Sequence, residues 1–198
     1  MDNKKPRKIV LASNSPRRIA IFEMLNIPFI QVSPEVSEKK KDEASPEKTA
    51  IERALMKAKS VSDKFPENPI IGIDTIVIID HKVLGKPEDE DDARRMLRML
   101  SGRLHSVVSA IGLVNNGQYT TTYDKTFVRF RNISDEEIIN YIKTGEPMDK
   151  AGAYAVQGKG AIFIEEIFGD FYNIMGIPIT KLYSILVDIG INPMSSYE

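Results

Sequence analysis

The spacing of apolar residues changes repeatedly along the chain, and the changes predict its elements. Ile9 to Ala12 is uniformly apolar. Beyond it Ile19, Phe22 and Leu25, with Ile21 and Met24 beside them, recur at helical spacing. The pattern predicts a strand over 7–12 and a helix over 15–26. "IPFIQVSPEVSE" reads as a short second strand ending in a loop that carries Glu35 and Glu38, and "EKKKDEA" as a solvated charge run. Ile51, Ala54, Leu55, Ala58 and Val61 mark the buried stripe of a second helix, with Lys57 just off its edge. "PIIGIDTIVIID" is apolar on both faces, as a central strand requires, and a tight turn at Asp80-His81-Lys82 leads into "VLGKP".

The second half continues the alternation. "EDEDDARRMLRMLSG" predicts a helix, and "SVVSAIGLV" and "QYTTTYDKTFVRFR" predict a long hairpin about Asn115-Asn116-Gly117. A helix from Ser134 to near Gly145 and the glycine-punctuated "DKAGAYAVQGKG" come next. "AIFIEEI" and "FYNIMG" read as a hairpin about Gly169, and "PITKLYSILVDIG" as the closing helix. Such alternation predicts an α/β fold: a mixed β-sheet flanked by helices, in two lobes around a cleft. No repeat or interdomain linker interrupts it, so a single domain is expected over 1–198.

Helix starts carry their own signals. Ser15-Pro16 and Ser45-Pro46-Glu47 combine a capping serine with a proline at the first helical position, and Ser134 with Glu137 forms a capping box. The acids that open "EDEDDARRMLRMLSG" complement the helix dipole. The first helix breaks this rule. Arg17 and Arg18 sit in its first turn, where positive charge is unfavourable by a few tenths of a kcal/mol to about 1.

Composition narrows the classes. The 198 residues carry 27 basic and 28 acidic side chains, a net charge of −1, which gives no electrostatic case for nucleic-acid binding. There is no cysteine, which excludes disulfides and thiolate metal sites and fits a reducing cytoplasm. "MDNKKPRK" lacks the apolar core of a signal peptide, and no apolar run reaches the ~18 residues of a membrane span. A cytoplasmic protein with no membrane partner is the expectation.

Four places resist a purely structural account. Ser13, the N–H groups around Ser15 and the forked guanidinium groups of Arg17 and Arg18 suit a phosphate, though the arginines could equally reach an acidic neighbour or solvent. Asp74 is a carboxylate among isoleucines. Such a group needs a paired charge, a metal, or hydrogen bonds from backbone or a structural lysine. Lys86, behind Gly85, is placed to neutralise phosphate or simply to be solvated. Gln157, ahead of two glycines, has an amide that both donates and accepts, as recognition of a nucleobase edge requires. The Walker-A, Gly-x-Gly-x-x-Gly, His-Glu-x-x-His and Gly-x-Ser-x-Gly patterns are absent. His81 and His105 have no partners at metal-ligand spacing and read as surface or turn residues. The residues by themselves lead to a phosphate-binding site with carboxylates acting through a divalent metal.

In order along the chain, "LASNSPRR", Glu38, "RALMKA", "GIDTIVI", "VLGKPEDEDDARRML", "LSGRLHSVVSAIGLV" and "DKAGAYAVQGKGAIFIEEIFGDFYNIMGIPI" resemble the Maf family of nucleoside triphosphate pyrophosphatases. The resemblance covers essentially the whole chain. It implies a fold of the inosine-triphosphate-pyrophosphatase type with a deep cleft, and cleavage of a nucleotide to monophosphate and pyrophosphate with Mg²⁺ or Mn²⁺. By position, Ser13, Arg17, Arg18, Lys57 and Lys86 match the family's polar and phosphate-binding residues. Glu38 and Asp74 match its acidic, metal-binding pair, with Asp74 as proton acceptor and Glu38 and Lys86 also counted in the catalytic set. Arg17, Thr75 and Gln157 match the group that prefers dTTP and UTP, extending to modified pyrimidine nucleotides. The group that prefers N7-methyl-GTP has Trp, Gln and Glu at these positions. Asn14 stands where the family often has a small residue. The implied role is sanitation of nucleotide pools, with a link to cell-division arrest. The rival role is a nucleotide-binding regulator of septum formation without turnover. The sequence leaves the oligomeric state open, a homodimer included.

Overall fold

The computed structural model describes residues 8–36 and 45–194; Glu38 and the charge run 38–44 lie outside them. Strands β1 (Ile9–Ala12), β2 (Phe29–Val32), β3 (Ile70–Ile79), β4 (Lys82–Leu84), β5 (Leu104–Asn115), β6 (Gln118–Phe130) and β7 (Ile164–Phe168) form one sheet among the described residues. Its order is β2-β1-β3-β5-β6-β7, with β4 paired to β3. β1 runs parallel to β2 and β3, whereas β3–β4 and β6–β7 are antiparallel, so the sheet is mixed as expected. The helices are α1 (Pro16–Met24), α2 (Pro46–Lys59), α3 (Glu90–Leu100), α4 (Asp135–Ile142), α5 (Phe171–Met175) and α6 (Ile179–Asp188). Every β3 residue but Thr75 is buried, as its two-sided apolar pattern predicts.

The chain forms two compact units, and it passes between them inside β3, β5 and β6 and again between α5 and α6. The first unit comprises Met1–Asp74, Ala110–Tyr123 and Gly176–Glu198; Val10, Ala12, Ala58, Val61, Ile70 and Val114 pack together in its core. The second comprises Thr75–Ser109 and Asp124–Met175, and its core joins the buried stripe of α3 (Ala93, Met96, Leu97, Leu100) to Phe130, Tyr141 and Phe163.

Local chemistry explains most elements. Asp89 caps α3 by accepting from the Asp92 N–H at 2.8 Å, with Glu90, Asp91 and Asp92 in the first turn and Arg98 in the last. Ser134 and Glu137 complete the expected capping box. Asp80 and His81 both have positive φ (49° and 61°), as a two-residue hairpin turn between β3 and β4 demands.

Three expectations need correction. Ser15 and Ser45 occupy the N-cap positions but make no side-chain capping bond. Ser45 Oγ instead donates to Glu47 Oε2 at 3.0 Å. "FYNIMG" is not the return strand of a hairpin: residues Phe171–Met175 form α5. Gly169 (φ 126°) turns the chain, and the Asp170 carboxylate then accepts from the Tyr172 N–H at 2.8 Å, starting a helical turn despite the aromatic residues. His105 is neither a surface nor a turn residue. It is 2% exposed, lies 2.9 Å from the Tyr154 hydroxyl, and packs edge-on against Phe130 and Tyr154. Burial pushes its pKa down to about 4, so the ring is neutral near pH 7.

Candidate active site

In the first unit, β1 ends at Ala12 and delivers Ser13 to the start of α1. Ser13 is buried, and its hydroxyl oxygen accepts from the Ser15 N–H (3.2 Å) and from Arg18 Nη1 (3.4 Å). Ser13 therefore holds the N–H of the N-cap residue Ser15 and the Arg18 side chain, rather than a backbone N–H of the helix's first turn. Arg18 is also buried. Its Nη1 donates to the Ile73 carbonyl at 2.9 Å and its Nε to the Gly176 carbonyl at 3.1 Å. One guanidinium thus links the first turn of α1 to β3 and to the segment that enters α6. These carbonyls offset part of the unfavourable placement of positive charge at a helix start. Arg17, its neighbour, is half-buried.

The acidic centre is built by close packing of α2 on the sheet. Gly72 and Asp74 are two apart on β3 and so share one face. A Cβ on Gly72 would lie 2.2 Å from the Ala54 carbonyl oxygen and 2.5 Å from the Ala58 nitrogen. One on Gly112 of β5 would lie 2.6 Å from Leu55 Cα. Only glycine at both positions lets α2 approach so closely. That approach carries Lys57, at the edge of the helix's buried stripe, to Asp74. Lys57 Nζ lies 2.6 Å from Asp74 Oδ1, with the two side chains 12% and 7% exposed. The second carboxylate oxygen, Oδ2, is buried and has no hydrogen-bond partner among the described residues. A buried anionic oxygen left in that condition fits a cation or a bound water. Among the described residues no group of three or more histidines and carboxylates could hold a metal ion, and Glu38 lies outside them.

The second unit holds the remaining candidates. Thr75 follows Asp74 and points to the other face of β3. The Ser109 hydroxyl donates to the Asn173 carbonyl at 2.7 Å, so in the 2.9 Å contact between Thr75 Oγ1 and Ser109 Oγ the threonine is the donor. Asn173 is fully buried: its amide donates to the Val107 carbonyl and to Thr126 Oγ1, both at 3.0 Å, and accepts from the Ser109 N–H at 3.2 Å. Sequence reasoning missed this network. The signal was one asparagine inside the otherwise apolar "FYNIM". Lys86 is exposed in the loop after β4, and that loop is tied to the glycine-punctuated segment by the Gly152 N–H donating to the Gly85 carbonyl at 2.9 Å. Gln157 is exposed within that segment, which forms short 3-10 turns over Ala151–Ala153 and Lys159–Phe163. The structure thus joins Ser13 to Arg18 and Lys57 to Asp74 by direct contacts in the first unit, and places Thr75, Lys86 and Gln157 in the second.

Residues 8–189 match the family described as Maf-like protein. The chain is 45% identical over 187 residues to a protein of Dictyoglomus thermophilum named dTTP/UTP pyrophosphatase, covering 93% of this chain and 97% of that one. It is 44% identical over 176 residues to a protein of the same name from Bacillus cytotoxicus, covering 89% and 92%. A third of that name, from Aquifex aeolicus, is 46% identical over 184 residues, covering 93% and 96%.

Proposed function

The chain belongs to the Maf-like protein family, and from that premise we propose that it hydrolyses dTTP and UTP to the monophosphate and pyrophosphate. The observation that carries this reading is the buried Asp74 carboxylate, one oxygen held by Lys57 and the other without a hydrogen-bond partner among the described residues. A mere binding site for a polyanion has no use for a buried carboxylate. A hydrolytic site needs one to take a proton.

In the proposed reaction a water oxygen attacks the α-phosphorus. The new oxygen–phosphorus bond forms as the bond from the α-phosphorus to the α,β-bridging oxygen breaks, and that oxygen leaves with the pyrophosphate. Asp74 accepts the proton of the attacking water at Oδ2, because Lys57 holds Oδ1. Ser13, Arg17, Arg18 and Lys86 act on the polyphosphate. The cationic groups among them stabilise charge growing on the leaving pyrophosphate. Arg18 is fixed for this by the carbonyls of Ile73 and Gly176. Glu38 and Asp74 are the residues whose carboxylates would hold Mg²⁺ or Mn²⁺, hard cations that take oxygen ligands. When bound, such an ion supplies positive charge and lowers the pKa of water. Thr75 and Gln157, with Arg17, select the pyrimidine base. The whole chain acts as one domain, in the cytoplasm, in the sanitation of nucleotide pools. Among the described residues no helix is long and apolar enough to cross a membrane.

The test is a panel of nucleoside triphosphates with Mg²⁺ or Mn²⁺, both products being identified. Equal amounts of monophosphate and pyrophosphate, formed fastest from dTTP and UTP, are expected. Orthophosphate with a diphosphate, or no turnover of any nucleotide, would overturn the reading.

A further inference from the structure

The backbone on both sides of Gln157 hangs from two residues that the reaction itself does not use. The Ala155 N–H donates to the Tyr141 hydroxyl oxygen at 3.2 Å. The Lys159 N–H donates to Glu146 Oε2 at 2.9 Å and the Gly160 N–H to Glu146 Oε1 at 3.1 Å. The Tyr141 hydroxyl in turn donates to Glu146 Oε1 at 2.8 Å, which closes the frame. Tyr141 stands on α4, and Glu146 opens the 3-10 turn just beyond that helix.

The two glycines after Gln157 are explained by the same frame. A Cβ on Gly158 would lie 2.5 Å from the Glu146 carboxylate, and one on Gly160 would lie 2.7 Å from the Tyr141 hydroxyl. Glycine at both positions lets the loop close onto the Tyr–Glu pair. The protonation states suit the pattern. Burial, then the neighbouring Glu146, push the Tyr141 phenol up, so it stays a donor. Burial would raise Glu146, but the N–H groups of Lys159 and Gly160 and the Tyr141 hydroxyl outweigh it and hold the carboxyl below its ordinary value. An ionised carboxylate only accepts, which three converging donors require.

We propose that Tyr141 and Glu146 are positioning residues for base selection: the Tyr141–Glu146 pair fixes the loop that presents the Gln157 amide to the pyrimidine edge. The proposal rests on the reading that Gln157 contacts the base. An exposed amide on a loose loop would give up much of its discrimination, because a misplaced donor or acceptor no longer penalises the wrong edge. Loss of the frame therefore acts on substrate binding and selectivity rather than on the chemical step.

The test is a double-mutant cycle in the full-length protein, with steady-state kinetics on dTTP and GTP for the parent, Glu146→Gln, Gln157→Ala and the double variant. In Glu146→Gln one acceptor becomes a donor facing an N–H, so KM for dTTP should rise about tenfold and the preference for dTTP over GTP should narrow, with kcat within about twofold. In the Gln157→Ala background the same substitution should add less than about twofold. An equal rise in both backgrounds, or no change in either, overturns the positioning role while leaving base reading by Gln157 intact. A Gln157→Ala variant with unchanged KM and selectivity overturns base reading, and the positioning role with it. Tyr141→Phe, which removes one donor and one acceptor from the frame, should show the same split at about threefold and serves if Glu146→Gln does not fold.

Discussion

Lys57 Nζ lies 2.6 Å from Asp74 Oδ1, and the pair is almost entirely withdrawn from water. This contact joins stability to chemistry. Asp74→Asn nearly preserves shape but removes the proton acceptor, so kcat for dTTP should fall by about 10²-fold or more while KM changes little. Lys57→Met leaves the carboxylate buried and unpaired, which should lower unfolding free energy by about 3–5 kcal/mol. Urea denaturation of both variants, with kinetics on whatever remains folded, checks the two effects separately. Near-parental turnover in folded Asp74→Asn would remove Asp74 from the reaction.

Gly72 controls that contact from a distance. Its missing Cβ is what allows α2 to touch β3, and the atoms a methyl would strike are helix backbone, which cannot rotate away. Gly72→Ala should therefore cost about 1–3 kcal/mol through overpacking. It should also lower kcat by moving Lys57 off Asp74. Gly85→Ala, where a Cβ would meet nothing within 4 Å, is the matched control and should change neither stability nor kcat measurably.

Arg18 and its neighbour Arg17 should separate under substitution. Arg18→Lys cannot reach the Ile73 and Gly176 carbonyls together, so melting temperature and kcat should fall in step. Arg17→Ala, at a half-buried position, should chiefly raise KM for dTTP with a smaller change in melting temperature. Identical profiles for the two variants would contradict this division.

His105 sets a pH dependence of stability. Its pKa is about 4 in the folded protein, below the ordinary 6.5, so the unfolded chain binds the extra proton first as pH falls. Its contribution is fully present above pH 6.5 and is lost progressively down to pH 4, by about 3 kcal/mol in all. Unfolding free energy measured between pH 7 and pH 4 should show this slope, and His105→Gln should flatten it. An unchanged slope would mean that the ring titrates normally.

Local signals were legible where short-range physics decides. The acid-first, base-last pattern of α3, the Ser134–Glu137 box and the positive-φ turn at Asp80-His81 all read directly from neighbouring residues. Asp74 was legible as an anomaly because a charge among isoleucines demands a partner. Its partner was not, since the Lys57 contact depends on Gly72 and Gly112, on two strands distant in sequence. Serine before proline suggested capping by Ser15, but its side chain makes no capping bond; its own N–H is instead held by the Ser13 hydroxyl. "FYNIM" failed because its aromatic and branched residues favour a strand, whereas Gly169, the Asp170 carboxylate and the buried Asn173 amide favour a turn of helix. Glu146 gave no signal at all: a lone glutamate after a helix looks solvated until the loop it holds is seen.

The position of bond cleavage tests the account most directly. In ¹⁸O-labelled water with dTTP and Mg²⁺ or Mn²⁺, attack at the α-phosphorus places the label in dTMP and leaves the released pyrophosphate unlabelled. Label in pyrophosphate would move the attack to the β-phosphorus, and labelled orthophosphate with dTDP would move it to the γ-phosphorus. Either result would contradict the role given to Asp74.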